Sequence, residues 1–135
     1  MKYFLDTDIC IYYLNGTSGT VLQKIDATDM EDLLLPSVVT GELYYGAMKS
    51  TRRKHNLERY HQFISTMEVA AFDLNASRIY GDIRTDLESQ GRPIGWNDLM
   101  IAAIVLANRG VLVTHNIGEF SRIDGLTIED WTSTT

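Results

Sequence analysis

A single cysteine, Cys10, excludes an internal disulfide, and such a chain suits a reducing cytosol. Long hydrophobic runs are also missing. The longest, residues 99–107, has nine residues and is too short to cross a bilayer. At the N-terminus the acid Asp6 comes too early for a signal peptide. These absences lead us to expect a cytoplasmic protein with no membrane segment. There are two prolines, no repeat and no Pro/Ser-rich linker. No glycine-rich phosphate loop follows a strand-like segment, and no Cys/His spacing suits zinc. Serine and cysteine nucleophiles lack a persuasive base, with only His55, His61 and His115 available. Positive charge is scarce: 12 Lys and Arg stand against 18 Asp and Glu, a net charge of −6. That balance argues against a uniformly basic nucleic-acid surface.

What is present describes a globular domain. The 135 residues are 44% hydrophobic and 22% charged, enough for one domain, residues 1–135, with a full core. Short apolar segments at 2–5, 33–36, 69–72 and 111–114 read as strands, with a weaker one at 126–128. Between them lie helical patterns at 8–14, 21–27, 38–49, 53–67 and 98–108. A further helix carries the apolar stripe Ala76, Ile79, Tyr80, Ile83 and Leu87, with Asp73 or Asn75 as its cap. Ser37 is expected to cap the helix after the second strand, Gly91 to stop the striped helix, and Gly110 to end the apolar one. Strands alternating with helices, each strand short and apolar, indicate an α/β fold with a mostly parallel sheet covered on both faces.

The acids stand where an ordinary core would place no charge. Asp6 ends the first apolar run, and reads as a helix cap, a ligand or both. Glu42 has only uncharged helical neighbours, Val38, Val39, Tyr45 and Gly46, so its carboxylate must reach solvent or meet a cation. Asp98 opens the most apolar helix; an acid there favours the helix dipole, although Asn97 can already cap. Glu119 follows the late strand by a short turn, where a glutamate is usually just solvated. In a parallel α/β sheet ligands bind at the carboxyl ends of strands. That places Asp6, and Asn116 with Glu119, on one edge. Clustered carboxylates suit a hard cation such as Mg²⁺ or Mn²⁺. A local basic segment, Lys49, Arg52, Arg53, Lys54 and Arg59, offsets the acidic balance and is either a phosphate-binding surface or a solvated helix face.

Four motifs in order carry a resemblance: Phe4-Leu5-Asp6-Thr7-Asp8, Ser37-Val38-Val39-Thr40-Gly41-Glu42, the segment Gly95-Trp96-Asn97-Asp98-Leu99, and Leu112-Val113-Thr114-His115-Asn116 running on to Glu119-Phe120. Over nearly its whole length the chain resembles PIN-domain ribonucleases of the VapC toxin type. The resemblance implies a three-layer α/β/α fold with a short central sheet, dependence on Mg²⁺ or Mn²⁺, and cleavage of RNA, often a structured tRNA. It also implies a VapB-type antitoxin as inhibitor and a homodimer within a larger toxin–antitoxin complex. Carried over by motif, Asp6, Glu42 and Asp98 are the core acids, Glu119 the acid of the closing turn, and Asn116 a weaker ligand. Asp6 and Asp98 are then expected to bind metal directly, with Glu42 and Glu119 holding its waters or a second ion. His115 and Trp96 depart from the motif, and Trp96 is expected to pack partly buried.

Because the acids make a negative pocket without metal, the inhibitor is expected to present an arginine, with residues 43–48 as an apolar wall for its helix. Two rivals come from other classes. A phospho-receiver switch needs a lysine after the late strand, where the chain reads Thr114-His115-Asn116. A catalytically silent binding module on the same fold would not need the acids intact. A DNA-cleaving relative is the nearest enzymatic alternative.

Overall fold

The structure is a computed structural model in which residues 1–133 are described. Five strands, β1 (Tyr3–Leu5), β2 (Leu33–Pro36), β3 (Glu68–Ala70), β4 (Val111–Val113) and β5 (Thr127–Glu129), form one sheet in the order β3-β2-β1-β4-β5. Every pairing is parallel, so the sheet is wholly rather than mostly parallel. Helices α1 (Thr7–Asn15) and α2 (Gly19–Asp26) connect β1 to β2, and α3 (Ser37–Lys49) and α4 (Arg53–Ser65) connect β2 to β3. From β3 the chain passes through α5 (Leu74–Ser89) and α6 (Trp96–Ala107) to β4, and the short α7 (Ile117–Phe120) precedes β5.

Successive strand side chains point to opposite faces. All of β2 is buried, as are Phe4, Leu5 and the whole of β4. Both faces of the central strands are therefore covered, which is the three-layer α/β/α arrangement of a buried parallel sheet. The edge strands β3 and β5 are mostly exposed. From β1 the chain builds outward to β2 and β3, then crosses to β4 on the other side of β1. Between β1 and β4 the strand order reverses, and a crevice opens there beyond the strand ends.

Three helix ends differ from expectation. Ser37 is the first residue of α3, with Pro36 in the cap position. Pro36 is buried and stays in register with Ala70 at the end of β2, so Ser37 already lies inside the helix. The Ser37 hydroxyl instead accepts from the Phe72 amide at 3.2 Å and holds the chain after β3. That contact also ends β3 at Ala70 rather than at residue 72. Helix α6 begins at Trp96 with Gly95 at its cap, which frees the Asn97 side chain for other work.

At the far end of α6 the left-handed residue is Arg109 (φ 54°), not a glycine. Gly110 donates to the Val105 carbonyl and Arg109 to that of Leu106, both at 3.1 Å, which is a Schellman closure. Gly110 serves a different constraint. A Cβ there would lie 2.4 Å from the Phe4 ring and 3.0 Å from the Lys2 carbonyl oxygen. Phe4 is wholly buried and cannot swing away.

Gly110→Ala is therefore expected to destabilise the fold by about 1–3 kcal/mol through overpacking against β1. Arg109→Gly relieves a left-handed side chain and should raise the melting temperature. Thermal denaturation of the two variants checks both signs.

Candidate active site

Three acids from three elements meet at the crevice. Asp6 follows β1, and its amide continues the ladder by donating to the Val113 carbonyl at 3.1 Å. Its carboxylate caps α1, accepting from the Ile9 amide at 3.1 Å. The cap and site roles are thus held by one residue. Glu42 projects from the second turn of α3, where Thr7 donates its hydroxyl to Oε1 at 2.7 Å and the Asn97 amide reaches Oε2 at 3.5 Å. Asp98 stands in the first turn of α6. A cavity of about 170 Å³ lies among them, lined by Asp6, Thr7, Asp8, Glu42, Asp98, Ile101, Asn116 and Phe120.

Glu119 is not part of that wall but is tied to it. Its carboxylate accepts from the Asn116 side-chain amide at 2.9 Å and hydrogen-bonds Asp98. Thr114 completes the frame. Its hydroxyl donates to Asp6 and accepts from the Asn116 amide at 3.0 Å, so one buried oxygen joins two of the site segments.

The electrostatics follow from this packing. Burial pushes the Asp6 carboxyl up to about 6, against the opposing pull of the Thr114 hydroxyl and the Ile9 amide, with Asp8 and Glu42 adding repulsion. Burial likewise raises Asp98 to about 7, helped by its bond to Glu119 and by the charges of Glu119, Glu42 and Asp6. Glu119 is lowered by the same bond from Asp98, then by Asn116 and by the charge of Arg122. The opposite shifts mean that a proton is held more tightly at Asp98 than at Glu119.

Sequence reasoning found the acids and Asn116 but missed Thr7, Asp8 and Thr114. Thr7 and Asp8 sit beside Asp6 in the first motif, and Thr114 follows an apolar strand; a hydroxyl residue closing an otherwise apolar run was the available signal. The departures also find places. The His115 Nδ1 lies 3.0 Å from Asp130 at the rim. Trp96 is 66% exposed, contrary to the expected partly buried packing, because α6 starts at Trp96 itself and turns it outward. Arg84 lies 5.3 Å from its ring. Within the basic segment Arg52, Arg53 and Lys54 are exposed at the α3–α4 junction, whereas Arg59 donates to the Leu14 carbonyl and Asn56.

Among the described residues no three His, Cys, Asp or Glu side chains are grouped closely enough to hold one ion between them. Mg²⁺ does not require that, since it commonly keeps several waters and takes one or two carboxylates. The cavity has room for such waters, each occupying about 30 Å³ in the liquid. Oxygen donors alone, crowded until two of them rise toward neutrality, suit a hard divalent cation.

A parallel α/β/α sheet with carboxylates gathered at its switch point defines a class, and comparison with known proteins bears this out. The chain belongs to the PIN-domain family, whose model matches residues 3–126. Among its relatives, Ribonuclease VapC2 of Rickettsia felis is 37% identical over 132 residues, covering 97% of this chain and 98% of that protein. The tRNA(fMet)-specific endonuclease VapC of Shigella flexneri is 37% identical over 131 residues, covering 97% and 98%. A chain of the DNA-bound VapBC crystal structure from Salmonella typhimurium superposes with a TM-score of 0.91 at 36% identity, covering 97% of this chain and 98% of that one.

The shifts fix a sign for pH dependence. Asp6 and Asp98 bind protons more tightly folded than unfolded, so the stability they contribute is present at low pH and is lost as pH rises through about 6 and about 7. Glu119 acts oppositely, but its lowered value confines that effect to more acidic solution. In EDTA the melting temperature should fall between pH 5 and pH 8, and Asp98→Asn should flatten the fall. Differential scanning calorimetry of both proteins across that range is the check.

Proposed function

We propose that this protein is a metal-dependent endoribonuclease, the toxin of a type II toxin–antitoxin pair, acting on a structured RNA such as a tRNA. The observation that carries the reading is the convergence of Asp6, Glu42 and Asp98 on one polar cavity at the β1/β4 switch point. Relatives named as ribonucleases or as a tRNA-specific endonuclease, at 37% identity along almost the whole chain, support the substrate class.

Asp6 and Asp98 would hold Mg²⁺ or Mn²⁺ directly, with Glu42, Glu119 and Asn116 holding its waters. When bound, the ion supplies Lewis acidity toward the phosphate and lowers the pKa of water for attack. The chain's own residues set the geometry. Thr7 and Asn97 fix the two oxygens of Glu42. Thr114 orients Asp6 and, through the Asn116 amide, the turn that carries Glu119. Ile101 and Phe120 form the apolar part of the wall and exclude bulk water from that side. Lys49, Arg52, Arg53 and Lys54 present charge to the RNA backbone; Arg59 contributes less, because its guanidinium braces α1.

The partner in this reading is a VapB-type antitoxin, with the toxin a homodimer in the larger complex. The VapBC complex of the Salmonella relative supports the antitoxin partner. No helix among the described residues is long and apolar enough to cross a membrane.

Asp98→Asn should reduce RNA cleavage by about 10²–10³-fold, the scale of losing a preorganised electrostatic group, while the circular dichroism spectrum stays unchanged. Mg²⁺ or Mn²⁺ should raise the wild-type melting temperature and leave that of Asp98→Asn nearly unmoved. Cleavage by Asp98→Asn at the wild-type rate would remove Asp98 from the site.

A further inference from the structure

Beside the acid cavity runs a larger open groove of about 660 Å³. Thr7 and Glu42 belong to the walls of both, so the two are continuous. The groove follows one face of α3, from Glu42 through Tyr45 and Gly46 to Lys49. These positions are three, four and seven residues from Glu42, the spacing that aligns side chains along a helix. The run from Glu42 to Lys49 rises about 10.5 Å. Asn97 and Met100 of α6 form the facing wall.

Two features of this face have no use within the chain. Tyr45 is 66% exposed, with the Lys49 ammonium 4.8 Å from its ring centroid. An uncovered aromatic beside an exposed cation leaves apolar surface in water. The second feature is a pair of helix-interior glycines, Gly41 and Gly46, both lining the groove. Each costs the helix about 1 kcal/mol relative to alanine. Neither has a positive φ, and a Cβ added at either meets nothing within 4 Å. Internal packing does not demand them. Their effect is to keep the groove floor open for something that comes close to the α3 backbone.

We propose that this groove is a nucleotide subsite for the RNA flanking the scissile phosphate, with a base stacked on Tyr45 and a neighbouring phosphate held by Lys49. The inference rests on the ribonuclease reading of the adjoining acids. Ring, amine and bare backbone match the parts of a single-stranded nucleotide: a π-face, an anion and a sugar-phosphate strand lying close to the helix. Charge gives the direction of the strand's path. The groove starts at the acids, where a cation would meet the scissile phosphate. It ends at Lys49, beyond which Arg52, Arg53 and Lys54 are exposed.

The test combines cleavage kinetics, binding and melting on purified full-length protein, using an unstructured oligoribonucleotide and a tRNA. Tyr45→Ala should raise KM about tenfold, within the range for loss of one base stack, with kcat little changed. Tyr45→Trp should restore KM. Lys49→Ala should raise KM and reduce the slope of log affinity against log salt by about 0.7, as for one single-strand phosphate contact. Gly46→Ala should raise the melting temperature while raising KM, a pairing that a merely structural role would not produce. Fluorescence anisotropy of the labelled oligoribonucleotide in EDTA separates this proposal from the ribonuclease reading. Oligoribonucleotide binding that these variants weaken, together with no cleavage by the wild-type protein, would overturn the nuclease and keep the subsite. Cleavage with KM unchanged in Tyr45→Ala, Lys49→Ala and Gly46→Ala would overturn the subsite and keep the nuclease. Variants that keep KM but escape a basic helical inhibitor would make the groove a protein-docking surface and also overturn it.

Discussion

The constraint on which the rest depends is the repulsion among carboxylates held at the ends of buried parallel strands. Left in water, Asp6, Glu42 and Asp98 would separate. The sheet does not permit it. Asp6 is carried by a strand whose core residues Phe4 and Leu5 are fully buried, and Asp98 by a helix with six buried residues in twelve. Hydrophobic packing of that extent outweighs the cost of crowding a few acids. The tension shows in the titration of the acids: Asp6 and Asp98 are both raised, while Glu119 is lowered.

Hydroxyl groups manage the crowding. Thr7 and Thr114 donate to Glu42 and Asp6 respectively, satisfying oxygens that would otherwise be costly to bury. A threonine hydroxyl brings a donor without a charge, so it orients a carboxylate and leaves its affinity for a cation intact. A lysine in either position would instead bring a positive charge among the acids. The same economy appears at Asn116, which donates to Glu119 through an amide and adds no charge.

Much of the fold was legible because its signals are local. Short apolar strands separated by helices, with no alternation in β2 or β4, report burial on both faces. Asp6 and Asp73 were legible as helix caps, and both accept from the amide three residues on. Gly91 read correctly as a stop, since it adopts a positive φ that other residues resist. Gly110 was misread for a physical reason. Its helix places Arg109 in the left-handed position, and the glycine is required instead by Phe4, more than a hundred residues earlier in the chain. Ser37 was misread in the same way: the end of β2 is set by its pairing with β3, a partner that local capping preference does not include.

By itself the sequence determined which residues are out of place in an ordinary core. Acids at the ends of apolar segments, an asparagine in the closing turn and a cluster of bases are properties of composition and position, and burial cost makes such acids conspicuous. Only the tertiary structure decided how they act together. The Thr114 hydroxyl meets Asp6 across 108 residues because β1 and β4 are neighbours, and Glu42 reaches Thr7 because α3 packs on α1. The opposite shifts of Asp98 and Glu119, and a groove lined by two glycines beside an exposed tyrosine, depend on packing that no spacing in the chain encodes. They arise where separately specified elements are pressed together by a common core.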